Sequence, residues 1–117
     1  MSLRFVEKPW GYEEIWAETD RYVGKYLYIG MGKRLSRQYH SKKDETIRVL
    51  NGVLLLEIGQ GDQIDKQRLL PGDCFHVKPG TVHRFCAENS SVLLIEVSTP
   101  ELDDVVRLED DFMREGK

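Results

Sequence analysis

The sequence predicts an all-β fold, an antiparallel sandwich or barrel, from three observations. Short runs rich in Val, Ile, Leu, Tyr and Phe recur along the chain at the spacing of strands. Turn signals built from Gly, Pro, Asn and Ser separate these runs. No segment sustains a 3.6-residue apolar period. Because 117 residues can bury only one modest core, we predict a single domain over residues 1–117.

The strands follow from apolar and β-branched runs bounded by turns. In chain order, the predicted strands cover residues 22–31, 46–50, 53–58, 74–77, 83–87 and 92–97. The turns between them are predicted at Asn51-Gly52, 59–62, 71–73, Pro79-Gly80 and Asn89-Ser90. Only residues 108–115 could form a short helix. Cys74 and Cys86 lie within predicted strands, so we expect both to be buried, reduced thiols.

Composition excludes two classes of partner. The formal net charge is -3 and the pI is near 5.6, with both signs of charge spread along the chain. A nucleic-acid backbone needs a basic stripe, so we expect no nucleic-acid partner. No apolar run is long enough for a signal peptide or a membrane span, so we expect a cytoplasmic protein with no membrane partner.

The turn at Asn51-Gly52 is the strongest local signal, since this pair favours a two-residue type I′ hairpin. Such a hairpin places Leu50 opposite Val53 and, at its far end, Glu45 opposite Ile58. Alternation then gives one face that is apolar enough for a barrel interior. That face consists of Glu45, Ile47, Val49, Leu54, Leu56 and Ile58.

Glu45 is the one carboxylate on this predicted inner face. Burying a carboxylate lowers the stability of the fold by several kcal/mol unless a cation compensates its charge. A metal ion would do so, and a salt bridge to Lys42 or Lys43 is the alternative.

Two histidines and a glutamine are placed to join Glu45. Gln38 and His40 are two residues apart, so on an extended strand both side chains point to the same face. His83 follows the Pro79-Gly80 turn and would approach from a separate strand. This mixed set of nitrogen and oxygen donors suits a divalent Zn, Mn, Fe, Co or Ni ion. His76 alternates to the opposite face and is predicted to be a surface or packed residue.

The basic residues between positions 33 and 43 allow two interpretations. They could bind a phosphate or carboxylate at the barrel mouth, or form an ordinary solvated face. The residues are Lys33, Arg34, Arg37, Lys42 and Lys43. By strand parity, Arg37 and Arg84 point outside the barrel.

Two spaced motifs resemble those of the cupin superfamily. The first comprises Gly32, Gln38, His40, Glu45 and Gly52, and the second comprises Gly72, Pro79-Gly80 and His83. The resemblance implies a double-stranded β-helix, the cupin or jelly-roll barrel. Residues 8–11, 35–40 and 105–112 are also similar to the C-terminal domain of type II mannose-6-phosphate isomerases. That similarity implies that Gln38, His40, Glu45 and His83 are the metal ligands.

The resemblance implies metal-dependent aldose-ketose isomerisation of a sugar phosphate. Lys43 stands where the family has a functionally important Arg, and we predict it as the catalytic base, which requires a lowered pKa. The alternatives are a non-catalytic cupin that binds a sugar or acid at its metal, and an iron-dependent dioxygenase. Exposed edge strands of a short barrel also favour a homodimer.

Overall fold

The computed structural model describes residues 4–115, which form eleven strands and no helix. The strands are β1 (Arg4–Lys8), β2 (Gly11–Glu18), β3 (Val23–Ile29), β4 (Arg37–Tyr39), β5 (Glu45–Asn51), β6 (Leu54–Ile58), β7 (Asp65–Leu69), β8 (Cys74–Val77), β9 (His83–Cys86), β10 (Val92–Ser98) and β11 (Val106–Glu109). The all-β prediction is therefore confirmed. No helix among these residues could cross a membrane.

The strands form two antiparallel sheets. The six-stranded sheet has the order β1-β2-β3-β10-β5-β8, and the five-stranded sheet has the order β11-β4-β9-β6-β7. A cluster of buried aliphatic and aromatic side chains fills the space between them, with Trp10 and Phe85 among its members. This arrangement is the predicted double-stranded β-helix.

The predicted hairpin at Asn51-Gly52 was wrong. The strands on either side of this turn lie in different sheets: β5 pairs with β8 and β10, whereas β6 pairs with β7 and β9. Asn51 still pairs with Leu93, and only Gly52 takes a positive φ, of 80°. A Cβ on Gly52 would lie 2.0 Å from the Ser91 carbonyl oxygen, so glycine is required where the chain crosses between sheets.

The predicted inner face survives this change of partner. Ile47, Val49, Leu54 and Leu56 are all buried in the central cluster, as alternation predicts. Alternation determines which side chains face inward, and the same inward set fits one paired sheet or two facing sheets. The pattern could therefore give the face without giving the pairing.

Several strands were missed because their sequences are polar. The β1–β2 hairpin is rich in charged residues, and β7 is an edge strand with four of its five residues exposed.

The predicted helix at 108–115 was also wrong. Residues 106–109 instead add β11 to the sheet edge beside β4, and the Asp110 carboxylate accepts backbone N–H bonds from Phe112 and Arg114 in the turn that follows.

Along three neighbouring strands, the inward-facing side chains change from apolar to charged. At one end they are aliphatic and belong to the core: Leu27, Ile29, Ile47, Val49, Val92 and Leu94. At the other end they are Lys25 on β3, Glu96 on β10 and Glu45 on β5, all buried. Since Glu96 pairs with Lys25 and Ser98 with Glu45, these charged positions lie at the same end of the sheet.

The opposite face of the five-stranded sheet carries a second charge group, in which Arg37, Arg84 and Glu57 are buried and Glu109 and Asp111 are partly exposed; we call it the outer cluster. Arg37 donates to Glu57 at 2.7 Å and to Glu109 at 2.8 Å. Arg84 donates to Asp111 at 3.0 Å, and both guanidinium groups also bond backbone carbonyls. The arginines point outward as parity predicts, but the C-terminal residues bury them.

Candidate metal centre

Three buried side chains converge at the charged end of the interior. His40 follows β4, Glu45 begins β5 and His83 begins β9. One potential ligand atom from each residue lies within 4.8 Å of the others. His40 Nε2 is 2.9 Å from Glu45 Oε1, and the two imidazole centroids are 5.3 Å apart. The fold thus brings together three of the four predicted ligands from separate strands and sheets.

Both imidazoles are oriented by backbone carbonyls. His40 Nδ1 is 2.6 Å from the Asp104 carbonyl oxygen, and His83 Nδ1 is 2.9 Å from that of Thr81. Since a carbonyl only accepts, each Nδ1 is the donor and each Nε2 is directed toward the cluster. Carbonyl partners of this kind commonly orient metal-binding histidines. Burial also lowers the pKa of His83, which favours the neutral form that binds metals.

Gln38 lies beside the cluster on β4. It pairs directly with His83 on one side and with Arg107 of β11 on the other. Its Oε1 accepts a hydrogen bond from Ser36 Oγ at 2.6 Å, and its Nε2 is 3.5 Å from His40 Nε2. A half-turn of the amide would exchange these atoms, so that Nε2 meets Ser36 and the oxygen faces His40.

Lys43 is buried between two carboxylates. Its Nζ is 3.1 Å from Glu96 Oε2 and 3.8 Å from Glu45 Oε1. Burial acts to lower the pKa of Lys43, but the Glu96 and Glu45 charges outweigh it and raise that pKa above its usual range. A catalytic base needs the opposite shift, so these surroundings favour the ammonium form.

Glu96 was not predicted from the sequence, yet it links the cluster to the rest of the charged interior. Burial and the nearby Glu45 carboxylate raise the pKa of Glu96 to about 7. Lys25 Nζ is 3.8 Å from Glu96 and 3.2 Å from Glu13. The sequence did contain a signal for Glu96. Every second residue of β10 faces inward, and a charge at such a position interrupts an otherwise aliphatic inner face.

Asp104 fixes the loop that carries Lys43. Its carboxylate accepts backbone N–H bonds from Ser41, Lys42 and Lys43 at 2.6 to 3.0 Å. These bonds lower the pKa of Asp104. The same residue supplies the carbonyl bonded to His40, so one residue from the C-terminal segment positions both a candidate ligand and the adjacent lysine.

The predicted basic cluster does not assemble at one site. Arg34 pairs with Asp111 and Arg37 joins the outer cluster, whereas Lys43 faces the interior. The remaining histidine, His76, is exposed and bonds Asp44 at 2.5 Å, so it lies outside the metal cluster as expected.

The cysteine prediction was correct for one residue of the pair. Both thiols are free and Cys86 is buried, but Cys74 is exposed. Cys74 lies on β8, an edge strand of the six-stranded sheet, and the alternation that places Phe75 and Val77 partly or fully inside turns Cys74 outward.

A cavity of about 390 Å³ leads to the cluster. Gln38, His40 and Lys43 form part of its wall, and Trp10, Ile15 and Leu35 supply apolar surface. The other charged wall residues are Arg4, Lys8, Glu13, Lys25, Asp103, Arg107 and Arg114. Sequence reasoning missed this set because its members come from both ends of the chain, far from the central motifs.

The donors present fit a divalent metal. His83 Nε2 is buried and has no hydrogen-bond partner among residues 4–115, although an unpaired buried polar atom is costly. Two imidazole nitrogens and a carboxylate oxygen form a common ligand set for catalytic divalent ions. Lys43 Nζ, 3.8 Å from Glu45 Oε1, already gives Glu45 the predicted lysine partner, and a metal held by His40, Glu45 and His83 would in addition satisfy His83 Nε2.

Comparison with known proteins identifies the family to which the middle of the chain belongs. Residues 27–98, more than half of the sequence, match the family described as Cupin domain. This span contains His40, Glu45 and His83. No curated protein matches the chain.

Solved structures with the same fold come from proteins of different lengths. KdgF from Halomonas sp. is 25% identical, with a TM-score of 0.72 over 89% of this chain and 90% of its own. The capsular polysaccharide assembling protein CapF from Staphylococcus aureus is 17% identical, with a TM-score of 0.79 over 92% of this chain. Oxalate decarboxylase from Bacillus subtilis is 14% identical, with a TM-score of 0.76 over 91%. The chain spans only 34% of CapF and 30% of the decarboxylase.

Proposed function

Because this chain belongs to the cupin domain family, we propose that it is a metal-dependent isomerase that interconverts the aldose and ketose forms of a sugar phosphate. The observation that carries the proposal is the convergence of His40, Glu45 and His83 beside a cationic cavity whose wall includes His40. The similarity of residues 8–11, 35–40 and 105–112 to type II mannose-6-phosphate isomerases supports the choice of reaction.

In this proposal, the protein holds a divalent ion with His40, Glu45 and His83, and Gln38 completes the set through its amide oxygen. When bound, the ion would polarise the substrate carbonyl and the adjacent hydroxyl. The backbone carbonyls of Asp104 and Thr81 keep the two imidazoles in the tautomer that points Nε2 at the ion.

Lys43 remains the proposed catalytic side chain, with a different protonation state from the one predicted. Glu96 and Glu45 favour its ammonium form, which can donate a proton to the substrate oxygen or stabilise negative charge developing there. Asp104 holds the Lys43 backbone, so the ammonium group enters the cavity from a fixed position.

A non-catalytic metal-dependent binding protein is the second candidate. The observation that favours it is the same Lys43–Glu96 ion pair, because it opposes the neutral amine that would abstract a proton from carbon. Such a protein would bind a sugar or acid at the metal without turnover.

The decisive experiment measures metal content in untagged protein by plasma mass spectrometry. We expect about one divalent ion per chain in the wild type and loss of that ion in a His40→Ala, His83→Ala double variant. His76→Ala is the matched control, since it removes the remaining histidine and leaves the cluster intact. Equal metal content in the wild type and the double variant would contradict the ligand assignment.

The loaded protein is then assayed for interconversion of mannose 6-phosphate and fructose 6-phosphate. Turnover that is lost in Lys43→Met, with metal content unchanged, would support the isomerase. Saturable sugar-phosphate binding without turnover in any loaded form would favour the binding protein instead.

A further inference from the structure

A row of inward-facing side chains connects the metal cluster to the C-terminal strand. Across β11, β4 and β9, Arg107 pairs with Gln38 and Gln38 pairs with His83. Side chains at directly paired positions lie on the same face of a sheet, with Cβ atoms about 5 Å apart. Arg107 is therefore two strands away from a candidate metal ligand and lines the same cavity.

The wall of this cavity contains more positive than negative charge. The basic wall residues include Lys8, Arg107, Arg114 and Arg4. Apart from Glu13, which pairs with Lys25, the acidic wall residue is Asp103. Arg4 is paired with Glu18, and Arg114 with Asp110. Lys8 and Arg107 come from opposite ends of the chain, and the fold places them in the wall of the same cavity.

The cations in this wall raise one another's electrostatic energy. Burial lowers the pKa of Lys8, and Lys25, Arg107 and Arg114 lower it further, while Glu13 opposes them. Burial and Arg114 also lower the pKa of Arg107, while Asp110 and Glu13 oppose them. A folded protein that keeps like charges together in the wall of a cavity is favourably placed to bind an anion there.

We infer that Lys8 and Arg107 form an oxyanion subsite that binds the phosphoryl group of the substrate while its carbonyl end meets the metal centre. A guanidinium can bond two oxygens of one phosphoryl group, and Lys8 adds a point charge. This inference rests on the proposed function only for the identity of the substrate group that is bound at the metal centre.

The subsite lies entirely outside residues 27–98, the part of the chain that matches the cupin domain family. The central strands supply the metal ligands, and the flanking β1 and the segment from β11 onward supply the cations. Selection of a phosphorylated substrate would thus be specified by segments that the family match does not include.

The test uses inorganic phosphate as the probe in isothermal titrations of the full chain at low salt, after metal removal with EDTA. We expect saturable binding by the wild type and a loss of affinity of about tenfold or more in a Lys8→Gln, Arg107→Gln double variant. Arg68→Gln is the matched control, because Arg68 is an exposed arginine paired with Glu88 outside this cavity. Acetate is titrated in parallel, and weaker binding of acetate is expected for a phosphoryl site.

Three results would overturn the inference: no phosphate binding by the wild type, equal affinity in the double variant, or equal loss in Arg68→Gln. Thermal unfolding of each variant checks that the fold is retained, and Arg107→Lys keeps the charge if the glutamine variant does not fold. The His40→Ala, His83→Ala variant separates the two proposals. It should lose metal and still bind phosphate, whereas absence of isomerase activity in a phosphate-binding wild type would contradict only the proposed reaction.

Discussion

The five-stranded sheet buries charge on both of its faces, and the two groups differ in how completely they are paired. Arg37 and Arg84 on the outer face bond carboxylates and carbonyls through short contacts. Their chain neighbours Gln38 and His83 face inward, where His83 Nε2 has no partner among the described residues. Arg84 and His83 are both 1% exposed, so burial alone does not distinguish the two faces.

Incomplete pairing distinguishes a candidate site from a structural ion network. The outer cluster is closed by the chain itself, because Glu109 and Asp111 from the C-terminal segment complete the guanidinium contacts. In the inner cluster, His40 and Lys43 contact Glu45, but His83 Nε2 is left without a partner among the described residues, so the cluster could hold a metal ion. Mutations should therefore affect stability on one face and metal binding on the other.

The largest effect is expected on the outer face. Arg37→Met would leave the buried Glu57 carboxylate without its 2.7 Å partner and should lower the free energy of unfolding by about 3–5 kcal/mol. Urea denaturation checks this, with Arg68→Met as an exposed control expected to change stability by about 1 kcal/mol or less. Metal content per folded chain should be unchanged, and loss of metal in folded Arg37→Met would show that the two faces are coupled.

The second effect concerns the inner face. A divalent metal at 100 times its dissociation constant should raise the free energy of unfolding of the wild type by about 2.7 kcal/mol, and should leave that of His83→Leu unchanged. In EDTA, His83→Leu should lie within about 1 kcal/mol of the wild type, because the bond to the Thr81 carbonyl is lost while the unpaired Nε2 is removed. Equal stabilisation of both proteins by metal would place the ion elsewhere.

The smallest effect is expected at the exposed edge of the outer cluster, where the contribution to stability should depend on pH. Hydrogen bonding and charge from Arg34 and Arg84 lower the pKa of Asp111. A lowered carboxyl pKa stabilises the fold at pH values above the unfolded pKa, about 3.9, and this contribution is lost as the pH falls through the folded value. Asp111→Asn should thus cost about 1 kcal/mol or less at pH 7, since Asp111 is 41% exposed, and less as the pH falls below the unfolded pKa. A difference that does not decrease with falling pH would assign the cost to packing.

The sequence predicted the fold class and the inward faces because both depend on local alternation. Val49 and Leu54 are buried as predicted, although they lie in different sheets. The sheet change at Gly52 depends on which strands pair across long stretches of chain, and alternation contains no such information.

The candidate site was predictable where its residues stand in the central motifs, as His40, Glu45 and His83 do. Lys43 was found, but its protonation state depends on Glu96, which lies 53 positions later in the sequence and approaches it only in the fold. Arg107 was missed because its inward position follows from pairing with Gln38, and no strand was predicted at residues 106–109.

The chain crossing at Gly52 also has a consequence for the order of folding. β10 lies between β3 and β5 in the six-stranded sheet, so neither earlier strand has its central partner until residues 92–98 are available. Such non-local pairing slows folding, since the entropy of closing long loops is lost before the contacts form. During synthesis, β3 and β5 would therefore emerge with unpaired edges, and the three candidate ligands would converge only after most of the chain has left the ribosome.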